Sequence, residues 1–250
     1  MNPKLLFAVL LVIFPLAIPP ALNAKSEDSG HSKAIEFTCA AWEKLPYPEL
    51  YYLHGKQYLQ LELSAGQRSK VYPLKGVEAL ELFIRKVSAA GSGISDAAPE
   101  YERVAMAPLL KGVKRMLFLI EASKDSKGMP LQLLGMDDTL ETFPAGSFRF
   151  INQTPHLLRI EFAGVTRDLP QGALKVVTPD LPEAGGFLPA IIQNEDGRKI
   201  LENRFFAQRT GRELIIISPP AAGRTELVMK FLSDTIPASP TTPRKPSHRK

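Results

Sequence analysis

Trp42, the only tryptophan, is followed by Tyr47, Tyr51, Tyr52 and Tyr58, so four of the six tyrosines fall within twelve residues, beside Pro46 and Pro48. Such rings combine a large apolar area with a polar handle, and they stack on sugars, peptides or a partner's surface. The same residue types also suit a packed sheet. Trp42, Tyr47, Tyr51 and Tyr52 are therefore candidate ligand-binding residues. A second candidate lies at the other end of the chain. Arg244, Lys245, Arg249 and Lys250 place four cations within seven residues. They form a candidate electrostatic contact for an anionic envelope polymer, a phospholipid or an acidic envelope protein.

Other chemistry is sparse. His31, His54, His156 and His248 are scattered, none at metal-ligand spacing, and Cys39 has no histidine close behind it. The sequence has no G-x-S-x-G elbow, Walker loop, G-x-G-x-x-G fingerprint or H-E-x-x-H. Asp137 and Asp138 are adjacent, but neighbours on a strand point to opposite faces, so the pair reads as a turn. No catalytic, cofactor-binding or metal-ligating residue is assigned, and the balance leans away from an enzyme. Asn152-Gln-Thr154 is a glycosylation-type sequon; with Pro155 it reads as a turn ahead of a strand.

The charge balance points the same way. The formal net charge is +5. Removing Lys4 and the four cations of residues 244–250 leaves residues 5–243 with none, so no nucleic-acid partner is expected. One positive charge, an apolar run over residues 5–18 and the small-residue exit PPALNA form the pattern of an export signal. Residues 1–24 are expected to be a signal peptide and 25–33 a polar linker. The mature chain then has no transmembrane span and resides in the periplasm or outside the cell. Cys39, as a single cysteine, leaves no internal disulfide and reads as a small buried hydrophobe.

These candidates must be positioned by strands. Leu59, Leu61 and Leu63 alternate with Gln60 and Glu62, and Leu158, Ile160 and Phe162 with Arg159 and Glu161. RMLFLIEA (115–122) and LIIIS (214–218) are continuous apolar runs of strand length. Asp196-Gly197 marks a hairpin turn. Residues 77–88 suit either a helix or a strand, and 89–100 are a small-residue connection. Two blocks recur at an offset near 100. Residues 58–76 can be laid over 157–172. Residues 111–138 can be laid over 210–234, each with a glycine turn carrying basic residues, an apolar strand, a loop, a second strand and a closing aspartate.

The expectation is an all-β chain of two tandem β-sandwich domains, immunoglobulin-like or cupredoxin-like, at 34–139 and 144–234 with a joint at FPAG (143–146). The alternative is one larger β-sandwich. After them, prolines at 237, 240, 243 and 246 give residues 237–250 a period of three that suits an extended, unpacked tail. The functional expectation is a non-catalytic binding or assembly module of the cell envelope. Two immunoglobulin-like domains with an exposed strand edge resemble the architecture of pilus chaperones, which implies a periplasmic chaperone working by strand-edge donation. An envelope enzyme with a dispersed site is the other alternative.

Overall fold

The computed structural model describes residues 34–86, 99–123, 128–220, 223 and 226–236. The expected signal peptide, linker and tail, and most of the connection at 89–100, lie outside the described residues. Every described element is a strand. In chain order they are β1 (Ile35–Ala41), β2 (Leu50–His54), β3 (Gln57–Leu61), β4 (Gln67–Arg68), β5 (Tyr72–Leu74), β6 (Ala79–Arg85), β7 (Tyr101–Pro108), β8 (Arg115–Ala122) and β9 (Leu131–Asp137). There follow β10 (Phe148–Asn152), β11 (Leu158–Phe162), β12 (Val165–Leu169), β13 (Leu174–Val177), β14 (Gly186–Gln193), β15 (Lys199–Ala207), β16 (Gly211–Ser218) and β17 (Val228–Thr235). Within the 77–88 segment, open to either reading from its spacing, Ala79–Arg85 form strand β6.

The strands make four sheets, two from each half of the chain. In the first half, β4, β1, β8 and β9 form one sheet, with β5 also on β1, and β3-β2-β6-β7 form the other. In the second half the orders are β13-β10-β16-β17 and β12-β11-β14-β15. The connectivity is the same twice. In each half the first strand pairs in parallel with the next-to-last one, β1 with β8 and β10 with β16. Even the irregularities recur, with a register shift at Leu82/Phe83 in β6 and at Ile192/Gln193 in β14.

This equivalence confirms one sequence overlay and corrects the other. β8 and β9 do match β16 and β17, as the 111–138 and 210–234 overlay expects. The overlay of 58–76 on 157–172 is one hairpin arm out of place. It sets β3 on β11, whereas β11 occupies the place of β2, since each pairs with the strand that follows it and with β14 or β6. Both arms of the hairpin alternate apolar and polar residues, so either arm aligns equally well.

Strand periodicity explains the cores. Phe37, Cys39, Met116, Phe118 and Ile120 point between the first two sheets with Tyr52, Leu80 and Leu82. Phe148, Phe150, Ile215 and Ile217 point between the second two with Leu158, Ile160 and Phe162, the alternation read from sequence. The opposite faces of β8 and β16 are apolar too. Leu117 and Leu119 meet Leu214 and Ile216 in a third cluster with Ala40, Met136, Ile151 and Leu232, which joins the two sandwiches. β8 and β16 are therefore buried on both faces, and that is why their sequences run apolar without alternation. Burial stabilises each such Leu or Ile by about 1.5–3 kcal/mol.

Candidate functional site

Where the two inner sheets meet, the apolar contact ends in a buried ionic cluster. Arg115 and Arg212 hold equivalent places at the starts of β8 and β16, and Asp138 and Asp234 equivalent places near the ends of the strands opposite. Arg212 is wholly buried. Its Nη2 donates to Asp138 Oδ2 at 2.9 Å and to Asp234 Oδ2 at 2.6 Å, its Nε to Asp234 Oδ2, and its Nη1 to the carbonyls of Asp138 and Phe143. Arg68 Nη1 donates to Asp138 Oδ2 at 2.8 Å, and Arg115 Nε lies 3.6 Å from the same oxygen. The adjacent aspartates therefore part company. Asp138 enters this cluster, while Asp137 turns away and accepts from the N–H and hydroxyl of Thr139.

Phe143, in the expected joint, is also fully buried. Its ring lies between two guanidiniums, with Arg149 Cζ 4.2 Å and Arg212 Cζ 4.8 Å from the centroid, in cation–π range. Burial pushes the Arg149 guanidinium down to about 10, against the pull of Asp138, so it keeps its charge at neutral pH. The charged groups pair with one another, and Arg212 and Asp234 also line the groove on this side of the second sandwich. The cluster ties one sandwich to the other.

The open feature is at one edge of the second sandwich, beside the ionic cluster. In the first, β7 packs along β9 and closes that edge. In the second, the equivalent strands β15 and β17 scarcely touch, and both are edge strands. Between them runs a groove of about 560 Å³. Phenylalanines line it together with charged residues, among them Arg204, Arg212, Glu213 and Asp234. Phe205 of β15 and Phe231 of β17 set their rings 5.7 Å apart across it, and Phe187 and Phe206 pair at 5.2 Å on its rim. Phe187 is 68% exposed, Phe206 51% and Phe231 39%, an unusual density of open aromatic surface. The Lys199–Glu202 ion pair shields the start of β15, but Phe205–Ala207 carry no charge. Glu213 faces the groove. Its carboxyl is raised by burial, although Ser233 Oγ donates to it and Arg68 pulls the other way.

The tyrosine-rich stretch is dispersed. Tyr52 is buried in the first core against Phe37 and Tyr72. Tyr47 packs on the same core from its edge. Tyr51 lies on the outer face with Tyr58 and Tyr101, its hydroxyl donating to Glu49. Trp42 reaches the second sandwich. Its Nε1 donates to the Phe231 carbonyl at 3.3 Å, and the Lys230 ammonium stands over its ring at 5.7 Å. Trp42 thus supports β17, one wall of the groove, from behind. Arg244, Lys245, Arg249 and Lys250 lie outside the described residues.

The sequon is scaffold. Asn152 is fully buried, its Nδ2 donating to the carbonyls of His156 and Leu169 and its Oδ1 accepting from Thr154. Cys39 is buried in the first core, and burial pushes its thiol far up. Sequence reasoning missed the groove, because Phe187, Phe206 and Phe231 sit on strands where aromatic residues are ordinary.

Compared with known proteins, the chain matches no family model and no curated protein.

Proposed function

We propose that the protein is an exported, non-catalytic binding module of the cell envelope that takes an extended peptide segment into the groove between β15 and β17. The observation that carries this reading is the open edge itself. Two edge strands flank a groove lined by phenylalanine rings, and β15 has no strand on its outer side. An extended segment laid there gains main-chain hydrogen bonds from an edge and stacks alternate side chains on the rings, the physics of strand addition. Of the alternatives, this reading stands nearest to a chaperone that works through its strand edges.

The test uses a fluorescein-labelled dodecapeptide that alternates Val and Thr between terminal lysines. Saturable binding is expected, weakened about 10–30-fold by F206A or F231A, the range for losing a central aromatic contact. Unchanged affinity in both variants, with native melting curves, would show that the groove is not the site.

A further inference from the structure

The open edge of β15 is complementary to itself. Leu201–Ala207 pair in unbroken register with β14 on one side, and no strand lies on the other. Arg204 stands opposite Pro189, whose carbonyl is turned away to accept from the Ala163 N–H. The backbone groups of Arg204 therefore face outward, and by alternation so do those of Glu202. The Arg204 N–H donates to its neighbour's side chain, Asn203 Oδ1, at 2.8 Å, so a side-chain oxygen fills the place of a carbonyl from a further strand. Glu202 and Arg204, two residues apart, share a face of the strand. Glu202 pairs with Lys199 at 2.6 Å, while Arg204 makes no ion pair among the described residues. Two copies of such an edge, laid antiparallel, are related by a two-fold axis that passes through one residue position. An axis at Glu202 sets glutamate on glutamate, and one at Arg204 sets arginine on arginine. An axis at Phe205 gives neither charge an opposite. An axis at Asn203 sets Glu202 of each copy against Arg204 of the other and Leu201 against Phe205. The outward-facing residues are then the ones that meet, so each Glu202–Arg204 pair also exchanges two main-chain hydrogen bonds.

We propose that β15 pairs antiparallel with β15 of a second copy of this chain about an axis at Asn203, joining two β12-β11-β14-β15 sheets into one. The proposal rests on the reading of this edge as one that accepts an extended segment, and it names the segment. Opposite charges facing across strands stabilise a pair of strands and like charges destabilise it, so the two Glu202–Arg204 contacts select this register. The two-fold axis closes the assembly at two chains, and the exposed edge is consumed in it. An outside segment must then part the copies to reach β15.

Sedimentation equilibrium of the full chain, at concentrations up to about 100 µM, reads the mass of the assembly. A dimer is expected. E202R sets arginine against arginine across the axis and R204E glutamate against glutamate, so each variant alone should self-associate about tenfold more weakly or worse. Both side chains are exposed, and circular dichroism checks that the variants fold. Mixing E202R with R204E in equal amounts should restore the dimer, because every contact across the axis again joins opposite charges. The double variant E202R/R204E should dimerise by itself for the same reason. A monomeric natural chain, single variants that associate as the natural chain does, or a mixture no tighter than its components overturns the proposal. The Val–Thr dodecapeptide, titrated onto the two single variants, tells this failure from that of the groove reading. Peptide binding without a dimer leaves the groove reading standing alone. A dimer rescued by mixing, with no peptide bound by either single variant, leaves the pairing without the groove. With neither dimer nor peptide binding, both fall.

Discussion

Arg212→Met tests whether the ionic cluster holds the sandwiches together. The arginine is completely buried and makes five hydrogen bonds, to Asp138, Asp234 and two carbonyls. Methionine keeps most of the apolar stem, so the loss is mainly electrostatic. Asp138 retains Arg68 at 2.8 Å and Arg115 at 3.6 Å, but Asp234 keeps only Arg68 at 3.8 Å. Breaking a buried pair from one side costs about 3–5 kcal/mol, because the partner charge stays buried without its counter-ion. With a urea slope of about 2–3 kcal/mol/M, the midpoint should fall by about 1.5 M, read by far-UV circular dichroism. Asp234→Asn should cost much less in the R212M background than alone, since the two groups act as a unit. A loss below about 1 kcal/mol would put the cluster on a par with exposed ion pairs and refute its role. Additive effects of R212M and D234N would do the same.

Further outcomes follow from other buried groups. Asn152→Ala should cost about 2–5 kcal/mol in chemical unfolding, because the Leu169 carbonyl loses its buried donor and the Thr154 N–H its buried acceptor, and the folded chain should gain no glycan in a host that modifies such sequons. A glycan mass on the native protein would contradict the burial of this amide. Cys39 should resist iodoacetamide in the native state and react once urea unfolds the chain, since burial holds the thiol protonated; full alkylation without unfolding would be the contrary result. Burial sets the Glu213 carboxyl above its usual 4.5, so above that pH the folded state holds more protons than the unfolded one. Stability is then lost as pH rises through the window, and Glu213→Gln should flatten the fall in urea midpoint between pH 4 and 7. Parallel profiles for the two proteins would show that this carboxyl is not responsible.

Much of the architecture is legible in short stretches. The alternation at Leu158, Ile160 and Phe162, the turn at Gly197 and the apolar runs of β8 and β16 each report a local environment, and each is found where its pattern points. The cluster is harder to see because its members, at 68, 115, 138, 149, 212 and 234, meet only through folding. A trace is present all the same. The basic glycine turn and closing aspartate shared by 111–138 and 210–234 contain Arg115 with Asp138 and Arg212 with Asp234. The tyrosine-rich stretch misleads for the opposite reason. Neighbours along a strand face opposite ways, so Tyr51 and Tyr52 part to the outer face and the core. The groove has no local sign, because it arises from β15 standing off from β17 where β7 lies against β9.

The bond from Trp42 to the Phe231 carbonyl also makes the molecule its own instrument. The chain has a single tryptophan, and that indole sits on the seam between the sandwiches with a lysine ammonium over its face. Its emission spectrum is therefore tied to the closure of the seam and not to either core. A red shift that precedes the loss of strand signal would record the sandwiches parting while each remains folded, and filling of the groove should register through Phe231 without any added label.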